Sequence, residues 1–196
     1  LIYAITKRIV PLCRLPMDVG CVNDNVHTAY SVYHAVYSGI PCYERVVTIS
    51  GRAADITGNF IIKTGTPLSY ISEFCGMKEQ PAKIIFGGPM MGVSQYNMDV
   101  AVSKTTSSIL FLTENEINNH PAGPCINCGR CARVCPMNLM PMFIDAYTLV
   151  GYFKNAKKYG AEACIECGCC AYTCPTKRPL VQSIRLAKKI VREKNI

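Results

Sequence analysis

Two cysteine runs constrain this chain more than anything else in it. Cys125-Ile126-Asn127-Cys128-Gly129-Arg130-Cys131-Ala132-Arg133-Val134-Cys135-Pro136 has the spacing C-x2-C-x2-C-x3-C-P, and Cys164-Ile165-Glu166-Cys167-Gly168-Cys169-Cys170-Ala171-Tyr172-Thr173-Cys174-Pro175 repeats it 39 residues later. A fixed offset for every cysteine marks an internal repeat. Three thiolates two residues apart curl a short loop around three corners of a cubane, the glycine lets the backbone turn tightly, and loop N–H groups can bond the sulfurs. The fourth cysteine sits before a proline that redirects the chain. Zinc is the rival metal, but zinc motifs pair two C-x2-C knuckles and do not call for third and fourth cysteines at x2 and x3.

In two-cluster proteins with this run the fourth cysteine ligates the other cluster. The expected 4Fe-4S centres are therefore Cys125, Cys128, Cys131 and Cys174, and Cys164, Cys167, Cys170 and Cys135. Both would be complete, which implies electron transfer and not substrate activation at an open iron. Cys169 falls between ligand positions, where the first repeat has Arg130, and is read as a packed or neighbouring thiol.

The remaining composition fits metal better than cystine. The chain has 13 cysteines, an odd number, and Cys13, Cys21, Cys42 and Cys75 are isolated and read as small buried hydrophobes. Neither a signal peptide nor a stretch of about eighteen apolar residues is present, so the chain reads as non-secreted and non-spanning. Leu1 is not a methionine and the chain opens in a strand-like alternation, which suggests a fragment of a longer polypeptide. With 49% hydrophobic and 17% charged residues it should fold. The net charge of +8 divides into +2 over residues 1-112 and +6 over 113-196. A basic half raises nucleic acid or anionic lipid as partners. Eight thiolates around two clusters would carry roughly -4, however, so Arg130, Arg133, Lys154, Lys157, Lys158, Lys188, Lys189, Arg192 and Lys194 read as solvated helix faces and cluster neutralisation, and no nucleic-acid partner is expected.

Upstream of the cysteine runs the periodicity changes twice. Apolar positions 26, 29, 30, 33, 36 and 37 predict a helix over 24-39, capped by Asp24 or Asn25 and stopped by Gly39. His27 and His34 lie nearly on one face but lack a third ligand, and read as surface or half-buried. Strands are expected at 45-49, 60-64, 83-87 and 108-112, with a helix after Pro67, capped by Thr66 and ended by Gly76. Gly87-Gly88-Pro89-Met90-Met91-Gly92 reads as a tight turn with methionines at a domain contact; it lacks the residues of a phosphate loop. The polar segment 113-124, in which His120 is a linker residue, marks the main boundary. Beyond it, helices are predicted at 141-150 and 152-160, broken near Gly151, and again after Pro179. The fold class is α+β, with a small roll wrapping one helix followed by a helical dicluster domain.

Arg14-Leu15-Pro16-Met17-Asp18-Val19-Gly20, Glu44-Arg45-Val46-Val47-Thr48-Ile49-Ser50-Gly51, Gly87-Gly88-Pro89-Met90-Met91-Gly92, the cysteine repeat, and Pro179-Leu180-Val181-Gln182, in this order, closely resemble the C-terminal half of the C subunit of the bacterial Rnf electron transport complex. The resemblance implies the tail of a flavin- and NADH-binding domain at 1-43, a soluble-ligand-binding β-grasp domain at 44-113, and a dicluster 4Fe-4S ferredoxin domain at 114-196. It implies a subunit of an ion-translocating ferredoxin:NAD oxidoreductase, peripheral on the cytoplasmic face of the bacterial inner membrane. Its partners would be the other subunits and ferredoxin or another redox protein, with coupling to sodium ions or protons. FMN and NADH would belong to an upstream segment, and no nucleotide-site residue carries over. A soluble flavoprotein reductase built from the same parts, such as cobalamin reductase, is the alternative.

Overall fold

Alternating apolar residues build the sheet that the sequence predicts. In the computed structural model, which describes residues 1–11, 14–117, 119 and 121–194, β1 (Glu44–Ser50), β2 (Gly58–Lys63), α3 (Leu68–Cys75), β3 (Lys83–Phe86), β4 (Val93–Gln95) and β5 (Ser108–Leu112) follow in that order. The sheet is mixed, ordered β2-β1-β5-β3-β4, with β1 and β5 parallel and every other pair antiparallel. Val47 and Ile49 of β1, Ile109 and Phe111 of β5, and Ile84 of β3 point to one face. Leu68, Ile71 and Cys75 of α3 close over them, so the period-2 and period-3.6 stripes meet in one core. This unit comprises Val22–Asn118.

Several local expectations need correction. Thr66 does not cap α3: Pro67 takes the cap position in extended backbone, while the Thr66 hydroxyl bonds the Lys63 carbonyl at 2.8 Å. Strand β4 has no expected counterpart, because three mostly exposed residues leave no alternation to read. It follows the predicted turn, where the Gly92 N–H bonds the Gly88 carbonyl at 2.7 Å, and Met90 and Met91 of that turn are exposed. The chain opens in a one-turn helix, α1 (Ile2–Thr6), not a strand; Lys7 adopts φ 59° and returns its N–H to Tyr3.

The helix predicted over 24-39 is α2 (Val26–Ser38), with the Asn25 side chain accepting from the His27 N–H and Gly39 at φ 66°. Its apolar stripe is not core. No residue of α2 is buried, and Val26, Tyr30, Tyr33, Val36 and Tyr37 are exposed. The half-buried positions are His27, Ser31 and His34.

Gly51, just after β1, must be glycine. Its φ is +109°, and a Cβ there would lie 2.0 Å from the Phe111 carbonyl oxygen. Gly51→Ala should cost about 2–4 kcal/mol from backbone strain and crowding. A urea titration followed by far-UV circular dichroism should show the sheet unit unfolding earlier, and an unchanged midpoint would refute the steric account.

The second unit, Leu1–Cys21 with Asn119–Ile196, carries the cysteine runs on short helices: α4 (Arg130–Arg133), α5 (Pro141–Leu149), α6 (Phe153–Lys158), α7 (Cys169–Thr173) and α8 (Leu180–Lys194). The predicted break falls at Gly151, φ 77°. Ile144, Ala156, Ile184 and Ala187 of α5, α6 and α8 pack as one core with Ala161 of the 3-10 turn Ala161–Ala163, and Leu180 and Val181 pack with Cys131, Cys170 and Cys174 in another. Among the described residues no helix is long and apolar enough to cross a membrane.

Candidate metal centres

The repeat seen in the sequence is also a repeat of backbone. Asn127 and Glu166 adopt φ 53° and 57°, Gly129 and Gly168 72° and 83°, and Asn138 and Lys177 53° and 54°, all at the same offset. Left-handed conformations at non-glycine residues are uncommon, so their recurrence shows two copies of one loop. Each loop ends in a short helix, α4 or α7, which starts from its glycine.

The two copies interlock. One cavity is lined by Cys125, Cys128, Cys131 and Cys174, and a second by Cys135, Cys164, Cys167 and Cys170. Each takes three cysteines from one run and the fourth from the other. Gly123 and Thr176 make the first crossing, the Gly123 N–H donating to the Thr176 carbonyl at 2.9 Å. Arg178 reinforces it by donating to the Gly123 carbonyl at 3.3 Å and to the Asp145 carboxylate at 2.7–2.8 Å. Cys169 lines neither cavity.

The donor chemistry suits a multiply charged metal centre. Backbone N–H groups already point at sulfur: Leu139 to Cys135 and Glu166 to Cys164, both at 3.4 Å, which is the loop arrangement expected from the spacing. Burial, and then the neighbouring Cys164, Cys167 and Cys131 thiolates, push the Cys170 thiol up to about 12. Four thiolates crowded in this way need cationic charge among them to ionise together. Burial also raises Cys131 and Cys164. Burial would raise Cys174 too, but the Thr176 hydroxyl, the backbone N–H groups of Arg178 and Thr176 and the Arg178 charge hold it below the ordinary thiol range. Among the described residues no three or more His, Cys, Asp or Glu close on a single ion; the thiols ring a space.

Sequence reasoning missed the charged residues behind these loops. Of the two readings given for Lys188, a solvated helix face and cluster neutralisation, the first needs correction: its side chain is only 13% exposed and its Nζ reaches the Glu166 carboxylate at 2.6 Å. Arg185 meets the other oxygen of Glu166 at 2.6 Å. Burial would raise the Glu166 carboxyl, but Lys188 and Arg185 hold it below the usual range. The available signal was positional, since Lys188 adjoins the α8 stripe of Ile184, Ala187 and Val191. Of the isolated cysteines, Cys75 is buried, while Cys21 and Cys42 are half-buried with thiols facing the Val19 and Glu44 carbonyls. Cys13 and His120 lie outside the described residues.

Residues 124–178 match the family model of the 4Fe-4S dicluster domain, and that domain indicates iron-sulfur clusters. Over 190 residues the chain is 47% identical to the C subunit of the proton-translocating ferredoxin:NAD(+) oxidoreductase complex of Clostridium ljungdahlii, covering 96% of this chain and 42% of that protein. It is 44% identical over 190 residues to the Na(+)-translocating counterpart of Acetobacterium woodii, covering 96% and 43%. The C subunit of the ion-translocating oxidoreductase complex of Methanosarcina acetivorans is also 44% identical over 190 residues, covering 96% and 42%. The chain belongs to the family of Rnf complex C subunits. It spans less than half the length of these Rnf relatives. By name these relatives are subunits of oxidoreductase complexes.

Proposed function

We propose that the chain relays electrons through two 4Fe-4S clusters, one held by Cys125, Cys128, Cys131 and Cys174 and the other by Cys164, Cys167, Cys170 and Cys135. The observation that carries this reading is the pair of cavities, each lined by three cysteines of one run and one of the other. A bound 4Fe-4S cluster supplies reversible one-electron transfer. The chain's own part is to fix four thiolates around each centre, to aim the N–H groups of Leu139 and Glu166 at sulfur, and to leave Cys125 and Cys128 exposed at one edge.

In this reading the relay serves a membrane-associated ferredoxin:NAD oxidoreductase that translocates sodium ions or protons. The protein sits peripherally on the cytoplasmic face, with the other subunits and ferredoxin or another redox protein as its partners. FMN and NADH bind in a segment upstream of Leu1. Residues 1-43 are the tail of that flavin domain, 44-113 a β-grasp domain and 114-196 the dicluster domain. The strand order β2-β1-β5-β3-β4, with the parallel pair β1 and β5 inside the sheet and α3 across one face, supports the β-grasp reading. The relatives' names support a member of a complex over a soluble reductase.

Anaerobic reconstitution tests the cluster reading. About eight irons and eight acid-labile sulfides per chain are expected from two cubanes, and stoichiometric zinc without sulfide would overturn it.

A further inference from the structure

The charge around the two centres does not follow the repeat. Asn127 and Glu166 occupy equivalent left-handed positions. In the first loop the side chain is a neutral amide whose Oδ1 faces Cys125 Sγ at 3.6 Å. In the second it is a carboxylate held from α8, with Lys188 Nζ and Arg185 Nε each at 2.6 Å. Lys188 Nζ also donates to the carbonyl of Cys164 at 2.9 Å. The first centre has its cations in the cavity lining itself, Arg130 and Arg178, the latter paired with Asp145 and the Gly123 carbonyl, whereas the second cavity is lined by no lysine or arginine and takes its positive charge from α8 behind Glu166.

We propose that Lys188 is a positioning residue that sets the reduction potential of the centre held by Cys135, Cys164, Cys167 and Cys170, making the two centres electrostatically unequal. The inference rests on the two-cluster reading above. Reduction adds one negative charge to a centre. A fixed ammonium in contact with a ligand residue, largely shielded from water, favours that charge more than an exposed lysine could. Glu166 opposes it while anchoring the ammonium, so the two side chains act in opposite directions on the same centre.

The test is a potentiometric titration of the reconstituted full chain, followed by EPR, after iron and sulfide have been counted. Lys188→Met should lower one of the two midpoints, cutting the reduced-to-oxidised ratio at a fixed potential on the order of tenfold, about 59 mV for a one-electron couple. The other midpoint should stay. Lys188→Arg should restore the first, and Glu166→Gln should move the same wave upward. That wave is identified by its loss in Cys167→Ser. Equal shifts of both waves, or none, would overturn the inference while leaving the two-cluster reading intact. If Lys188→Met does not retain its second centre, Glu166→Gln decides alone, and the absence of an upward shift overturns it. A wild-type chain without two clusters would sink the earlier reading and this one with it.

Discussion

Cys170→Ala should halve the iron content of the reconstituted chain, from about eight to about four per chain, whereas Cys169→Ala should leave it unchanged. Cys170 is buried and lines the second cavity with Cys135, Cys164 and Cys167. Cys169 lines neither cavity, and its thiol is raised chiefly by its hydrogen bond with Cys167, then by burial and by the Cys167 charge. The repeat agrees: the residue equivalent to Cys169 is Arg130, at the start of α4 as Cys169 starts α7. A shift of ligation to Cys169 would also leave four residues before Cys174 instead of three. Because Cys169 is adjacent, it can slide in and rescue Cys170→Ala, so the double variant belongs in the same experiment and should show the full loss. Loss of one reduced-state EPR signal in Cys169→Ala, with both kept in Cys170→Ala, would reassign the ligand.

Arg178→Met should destabilise the cysteine-bearing unit by about 3–5 kcal/mol, because it leaves a buried carboxylate unpaired. Asp145 is 2% exposed and Arg178 17%, and among the described residues the Asp145 Oδ1 atom finds no hydrogen-bond partner. All of the compensation for that carboxylate therefore passes through Oδ2 to Arg178. The double variant Asp145→Leu/Arg178→Met should recover much of the loss, since replacing both ions with apolar groups removes the desolvation penalty. Thermal unfolding of the four-membered cycle measures the coupling. A single Arg178→Met as stable as the parent would show that this pair does not hold the crossing. The same variant should also release iron from the first centre before the second, because Arg178 ties the Gly123 carbonyl ahead of Cys125 to the turn after Cys174.

The cysteine spacing made the eight lining thiols legible as two copies of one run, 39 residues apart, while their crossed grouping was expected from the habit of two-cluster proteins with this run and stays a proposal as a ligand set. The strands β1, β2, β3 and β5 were legible too, since each alternates across a half-buried sheet. What stayed hidden depended on contacts far along the chain. Asp145 and Arg178 are 33 residues apart, and Lys188 reaches Glu166 across 22. Nothing local marks Asp145 and Arg178 as a pair, and Lys188 is set apart only by its place beside the α8 stripe, which does not name its partner. In α2 the apolar stripe announced the helix but not its exposure, because periodicity reports a face and not what covers it. Strand β4 was too short for any period, and the opening residues 2-6 formed a helical turn although their apolar spacing suited a strand.

The crossed cavities also nest. The second joins Cys135 to Cys164, across 28 intervening residues, and lies wholly inside the first, which joins Cys131 to Cys174 across 42. Like an inner pair of parentheses, the Cys135 site has all its cysteines between Cys131 and Cys174 of the outer one. Its shorter closure is also the entropically lighter of the two. Forming it draws α4 and α7 together and so shortens the remaining search for the outer site. The interlock thus gives its inner group of thiols the shorter closure and leaves the outer group to span it.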